Sequence, residues 1–283
     1  MEIKTICVLG SGIMGAGVAQ LIAHHGYMVN LVDLNEEILK SAKEGIKKNL
    51  ERFFISKDKI TMEEANQILD KIKLFINRDD AIKDVQMVIE AVFEDMTLKQ
   101  QIFSDLDNKC NKEVILASNT SSLSITDIAS TSTHQERIVG IHFFNPAPVM
   151  KLIELIKGKN TSDGVFLKAK EFSESLGKTV VSVNDSPGFV TTRLIYVMCN
   201  EAIKMFEDGL ASKEDIDIAI KLAFNFPMGP LELSDLVGLD TYNHIGDYLR
   251  SELGNTYKPA AMLKKMVKKG TLGRKSKEGF YQY

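Results

Sequence analysis

Three cysteines in 283 residues, Cys7, Cys110 and Cys199, are too few and too scattered for a disulfide framework or a metal site. They read as buried or half-buried thiols in a reducing compartment. No apolar run approaches the roughly 20 residues that span a bilayer, so no membrane partner is expected. Charge of neither sign is in excess: a net charge of −3 and a pI near 6.0 give no reason to expect nucleic acid or an anionic surface as partner. Internal repeats and low-complexity segments are absent. Met1-Glu2-Ile3-Lys4 runs straight into a strand, which leaves no room for a signal or transit peptide. These absences point to a cytoplasmic protein. The rest is an ordinary globular composition, 44% hydrophobic and 26% charged, with enough chain for one large or two ordinary domains.

Up to residue 185, strand-like and helix-like stretches alternate, as in a parallel sheet covered on both faces. After Ile6–Leu9 and Met28–Val32, the strand candidates are Leu74–Ile76, Val85–Val92, Val114–Ala117, Ile138–Phe144, Leu152–Ile156 and Thr179–Val183. Asn35 to Lys73 is long, polar and free of proline, which reads as a helical hairpin projecting from the sheet. Asn184-Asp185-Ser186-Pro187-Gly188 supplies turn chemistry for a domain boundary. Beyond it the i, i+3, i+4 apolar spacing predicts helices over Val190–Asp208, Ser212–Ala223, Leu231–Val237, Thr241–Glu252 and Pro259–Lys268. Leu194, Val197, Met198 and Ile203 are apolar at helical spacing and read as core or as a subunit interface. A helical segment this short often buries apolar surface against a second copy of itself, so a homodimer is expected.

Gly10-Ser11-Gly12-Ile13-Met14-Gly15 has the pattern G-x-G-x-x-G between a strand and a helix. In that context the first glycine permits a tight turn and the second lets the backbone approach a pyrophosphate. The third allows close helix–strand packing, with phosphates at the helix N-terminus. Asp33 ends the next strand, eighteen residues past Gly15, where a carboxylate accepts hydrogen bonds from ribose hydroxyls. Leu34, Asn35, Glu36 and Glu37 follow it, with no cation for a 2′-phosphate, and NAD is favoured over NADP. The fold expected is α/β: a Rossmann-type, mostly parallel sheet with a projecting helical hairpin, then an all-helical C-terminal domain. Its boundaries are 1–185 for the NAD-binding domain and 186–283 for a helical substrate and dimerisation domain.

Two further stretches lie at carboxyl ends of strands, where ligand crevices open in such sheets. One is Ala117-Ser118-Asn119-Thr120-Ser121-Ser122; the other runs from Gly140 through His142 to Asn145-Pro146-Ala147-Pro148. His24, His25, His134 and His244 fit structural or solvent roles, whereas His142 is flanked by apolar residues at a strand terminus. Glu154 stands inside the apolar run Leu152–Ile156, and a carboxylate buried there needs a partner. A His142–Glu154 pair meets that need and makes a base, with Glu154 orienting the ring and favouring imidazolium. The alternative is a structural salt bridge from Glu154 to a lysine.

With these residues in view, the sequence resembles the short-chain L-3-hydroxyacyl-CoA dehydrogenase family, particularly its bacterial 3-hydroxybutyryl-CoA members. The resemblance covers essentially the whole chain. It rests on GSGIMGAGVAQ, EAVFEDMTLKQQIF, ASNTSSLSI, HFFNPAPVMKLIE, DSPGFV, PMGPLELSDLVGLD and LGRKSKEGFYQY, in that order. It implies NAD-dependent, reversible oxidation of an L-3-hydroxyacyl-CoA to the 3-ketoacyl-CoA. By matching positions, His142 is the acid/base, Glu154 its orienting carboxylate, and Ser121 a contact to both substrate oxygen and nicotinamide. Glu94, Lys99, Asn145 and Lys275 join Gly10 to Gly15 and Asp33 as cofactor contacts. Asn49, Ser56 and Lys57 join Ser121 on the substrate side. Lys47, Lys48, Arg52, Lys57 and Lys59 could meet the phosphates of coenzyme A, although a solvated helix face accounts for the same run.

One departure bears on catalysis. The family's helical domain opens with a motif ending in Asn-Arg, and that Asn completes the catalytic set; here Thr192 precedes Arg193. Threonine is shorter than asparagine and lacks its separate donor and acceptor, so slower turnover is expected. A milder departure is Phe226 in Asn225-Phe226-Pro227, to which no role is attached. Two other readings stand beside this one. A dehydrogenase of free β-hydroxyacids would use a catalytic lysine in the helical domain, and no matching motif lies around residues 188–205. A family-derived binding or structural protein with reduced catalysis draws its support from Thr192 alone.

Overall fold

The apolar runs pair into a single sheet in the computed structural model, which describes residues 2–283. The strands are β1 (Thr5–Leu9), β2 (Met28–Val32), β3 (Ile72–Phe75), β4 (Met87–Glu90), β5 (Ile115–Ser118), β6 (Ile138–Phe143), β7 (Leu152–Lys157) and β8 (Thr179–Asn184). Their order is β3-β2-β1-β4-β5-β6-β7-β8. Every neighbouring pair is parallel except β6–β7, where His142 stands opposite Glu154. The eight residues between β6 and β7 are too few for a crossover helix, so the chain can only turn back. From β1 the chain winds outward through β2 and β3, then returns to β4 on the other side. That reversal creates a switch point at the carboxyl ends of β1 and β4.

The first unit, Met1–Asp185, adds α1 (Ile13–His24), α2 (Glu36–Phe53), α3 (Met62–Asp70), α4 (Arg78–Ala81), α5 (Met96–Lys109), α6 (Ile125–Ala129) and α7 (Asp163–Ser175). α2 and α3 form the expected hairpin. Asn35 accepts from the Ile38 amide at the start of α2, and Thr61 with Glu64 makes a capping box for α3. The buried stripe of α2, Leu39, Ala42, Ile46 and Leu50, joins the core that α1 builds with Val18, Leu21 and Ile22. β6 is buried along its whole length, as expected for a strand covered on both faces. Within it, a Cβ on Gly140 would lie 2.8 Å from Ile125 Cδ1 and 2.9 Å from Ile156 Cβ, so only glycine lets α6 approach this closely.

The second unit, Ser186–Tyr283, is helical: α8 (Thr191–Glu207), α9 (Lys213–Phe224), α10 (Pro230–Val237), α11 (Leu239–Leu253) and α12 (Ala261–Lys269). Its core gathers Tyr196, Cys199, Ile203, Leu231, Leu239, Tyr242, Leu249 and Leu263. The apolar positions of α8 divide, with Ile203 in the core and Leu194 and Val197 exposed. Asp217 accepts from the Leu231 and Glu232 amides at the start of α10 and from the Tyr281 hydroxyl. Asp235 accepts from the Phe280 and Tyr281 amides and the Tyr283 hydroxyl, which pins the C-terminal tail to α10. Among the described residues, no helix is long and apolar enough to cross a membrane.

Candidate active site

At the end of β1 the chain turns through Gly10, whose φ of +91° lies in the left-handed region. A Cβ on Gly15 would sit 1.8 Å from the Gly10 carbonyl oxygen, so glycine is required where α1 leaves the strand. A Cβ on Gly12 would meet nothing within 4 Å. Gly12 is also the N-cap of α1, with no capping side chain, so the first amides of the helix have no side-chain acceptor. The Ser11 amide and hydroxyl donate to Asp33 Oδ2 at 2.6 and 2.7 Å, and the Leu34 amide to Oδ1 at 2.7 Å. Burial opposes charge on Asp33, but these bonds outweigh it and hold the carboxyl below its ordinary range. Open space over Gly12, uncapped amides and an ionised Asp33 fit the pyrophosphate and ribose of NAD. Glu36 and Glu37 in the first turn of α2 would repel a 2′-phosphate.

Farther along the sheet, His142 Nδ1 lies 2.8 Å from Glu154 Oε2. Both side chains are buried, and the antiparallel register sets them directly opposite each other. The Phe144 ring lies against the imidazole, with centroids 4.4 Å apart. The Asn119 side chain accepts from the Phe143 amide at 2.9 Å, tying the serine segment after β5 to the end of β6. Glu94 Oε1 gathers that segment, accepting from Thr120 Oγ1 at 2.5 Å and from the Ser121 amide and hydroxyl at 3.0 and 3.3 Å. Burial opposes ionisation of Glu94; the Lys99 ammonium and the Thr120 hydroxyl reverse that and lower its pKa. The turn carrying Asn145 is held by Lys178, whose ammonium donates to the Ala147 and Met150 carbonyls at 2.7 Å each.

The other expected residues have surroundings of their own. Lys99 is 1% exposed and bridges Glu90 and Glu94. Asn49, Ser56 and Lys57 lie on the hairpin, where the Ser56 hydroxyl donates to the Arg52 carbonyl and Lys57 is exposed. Thr192 is buried in the first turn of α8. Lys275 is exposed and ion-paired with Asp240 within the second unit. The sequence assigned no individual site role to Glu90, Asn119, Lys178 or Asp185. The last accepts from the Ser124 hydroxyl and the Ile125 and Thr126 amides at the start of α6. Glu90 carried a usable signal, since it interrupts the apolar run Val88–Val92 as Glu154 interrupts its own. The thiols offer no nucleophile: burial pushes Cys110 and Cys199 up to about 11, and Cys7 higher still. Among the described residues, no group of three His, Cys, Asp or Glu could hold a metal ion.

Residues 5–186 match the family described as 3-hydroxyacyl-CoA dehydrogenase, NAD binding domain, and residues 188–283 match its C-terminal domain. The chain belongs to the 3-hydroxyacyl-CoA dehydrogenase family. Within it, the chain is 45% identical to a probable 3-hydroxybutyryl-CoA dehydrogenase of Bacillus subtilis, over 100% of this chain and 98% of that one. It is 44% identical to the 3-hydroxybutyryl-CoA dehydrogenase of Clostridioides difficile, over 98% and 99%. The crystal structure of (S)-3-hydroxybutyryl-CoA dehydrogenase from Ralstonia eutropha superposes with a TM-score of 0.95 at 41% identity, covering 100% of this chain and 99% of that one. Membership accounts for the NAD-type cleft and makes the chain an oxidoreductase.

Proposed function

We propose that the chain catalyses the NAD-dependent, reversible oxidation of L-3-hydroxybutyryl-CoA to acetoacetyl-CoA. The observation that carries the chemistry is the buried His142–Glu154 pair. Glu154 on Nδ1 fixes the ring's orientation and tautomer and stabilises the imidazolium, which assigns proton transfer to Nε2. His142 takes the 3-hydroxyl proton in oxidation and returns it in reduction. NAD supplies the hydride acceptor when bound. Ser121, held through its amide by Glu94, directs its hydroxyl to the substrate oxygen. Gly10 to Gly15 with Asp33 hold the pyrophosphate and ribose, and Glu94, Asn145 and Lys275 serve as further cofactor contacts. Lys99 serves through Glu94, given the burial of its ammonium.

On the substrate side, Asn49, Ser56 and Lys57 meet coenzyme A along the hairpin, and Thr192 stands in for the family's asparagine. The four-carbon acyl group is supported by the names that the Bacillus and Clostridioides relatives carry. Residues 1–185 and 186–283 serve as NAD-binding and substrate/dimerisation domains. Exposed Leu194, Val197, Leu222 and Phe224 in the second unit support a homodimer, and three free buried thiols support a cytoplasmic setting. The test follows NADH absorbance with acetoacetyl-CoA. Turnover is expected, with NADH preferred to NADPH by about tenfold or more, the factor that about 1.4 kcal/mol of repulsion gives. Binding of NADH without turnover would instead favour a non-catalytic binding protein.

A further inference from the structure

The Lys99 ammonium lies 2.6 Å from Glu90 Oε1 and 3.4 Å from Glu94 Oε2, so two carboxylates share one cation. Glu90 is 0% exposed, and its other donors, the Val92 amide and the Ser118 hydroxyl at 2.7 Å each, are neutral. The other partners of Glu94 are the hydroxyls of residues 120–122 and the amides of Ser121 and Ser122, which are neutral as well. Asp95, on the same stretch, caps α5 by accepting from the Leu98 amide and adds no positive charge. The cluster therefore has one more carboxylate than it has cations. Burial weakens solvent screening, so an excess charge here acts over a longer distance than at the surface.

This excess lies under the segment that carries Ser121. The nicotinamide ring is cationic in the oxidised cofactor and neutral in the reduced one, while the phosphates are common to both. We propose that Glu90 is a specificity-determining residue: with Glu94 it supplies the uncompensated negative charge that favours the oxidised, cationic nicotinamide over the reduced, neutral one. The inference rests on the reading that Ser121 lies beside the nicotinamide. Tighter relative binding of the oxidised form lowers the reduction potential of the bound couple, which makes the bound reduced form a stronger hydride donor toward the keto substrate.

The test compares dissociation constants for NAD+ and NADH in the wild type, Glu90→Gln and Glu90→Asp, using calorimetry. Glu90→Gln removes the charge while keeping the shape, and the ratio Kd(NAD+)/Kd(NADH) is expected to rise about fivefold. Glu90→Asp disturbs the same hydrogen bonds but keeps the charge, so its ratio stays within about twofold of wild type. Glu94→Gln removes the other carboxylate of the cluster and is expected to raise the same ratio. That measurement decides the matter if Glu90→Gln does not fold. Equal shifts of both constants in Glu90→Gln, an equal change of ratio in Glu90→Asp, or an unchanged ratio in Glu94→Gln would each overturn the proposal. A wild type that binds neither form would instead overturn the cofactor reading beneath it.

Discussion

Buried carboxylates occur in both units, but their partners differ in kind. In the sheet unit Glu90 faces Lys99, Asp107 faces Arg137 and Glu154 faces His142. In the helical unit Asp217 and Asp235 are held by main-chain amides and tyrosine hydroxyls. A main-chain amide never changes protonation state, so those aspartates do one thing, which is to fix where the chain runs. An imidazole gains and loses a proton near neutrality, so a carboxylate behind it takes part in chemistry. The same need, to satisfy a buried acid, is thus met structurally at Asp217 and Asp235 and by an imidazole at Glu154.

Replacing the carboxylate that faces His142 should have the largest effect. Glu154→Gln keeps the shape and an acceptor for Nδ1–H but removes the charge that stabilises imidazolium. Turnover is expected to fall about a hundredfold, close to 2.7 kcal/mol of barrier, with little change in melting temperature. A fall of less than about threefold in steady-state kcat would make Glu154 structural, like the aspartates of the helical unit. The next effect is a gain. Thr192→Asn places an amide where the family resemblance implies one, and kcat is expected to rise about tenfold, near 1.4 kcal/mol. Unchanged or slower turnover would remove Thr192 from the catalytic set.

The smallest effect belongs to the helical unit. Asp235→Asn keeps one acceptor and loses another, costing about 1 kcal/mol of stability with turnover retained. Burial pushes the Asp235 carboxyl above its ordinary 3.8, against the opposing pull of the Phe280 and Tyr281 amides. The folded protein therefore holds this proton more tightly than the unfolded chain does. Its contribution to stability is complete below pH 3.8 and declines as pH rises through the raised value. Thermal melts should show the gap between wild type and Asp235→Asn narrowing as the solution moves from acid toward neutral. A widening gap would contradict the direction of the shift.

Much of this was legible in the sequence because its signals are local. The glycine pattern, Asp33 and the helical spacing of the second unit each span a few turns of chain, and all lie in the elements expected. Strand ends were less legible: the Val85–Val92 run contracts to Met87–Glu90, since Ala91 and Val92 already belong to the turn packed against Gly10. The short helix α4 carries too few residues for a periodic pattern to show. The least legible features join distant segments. Asp185 reaches the start of α6 across about sixty residues, as its hydrogen bonds to Ser124, Ile125 and Thr126 require. Lys178 to Ala147 is likewise a product of topology, and no spacing rule encodes it.

The antiparallel pairing of β6 with β7 has one more consequence. In a half-exposed sheet, slipping a strand by one residue turns its apolar face to water, and that penalty polices the alignment. β6 is buried on both faces and β7 nearly so, so a slipped pairing would hide as much apolar surface as the native one. What the slip would disturb is polarity: Glu154 would point away from His142, and a buried acid would lose the imidazole that faces it. The pair that moves the proton is thus also the alignment key of these two strands, and a misaligned sheet would be unstable as well as inactive.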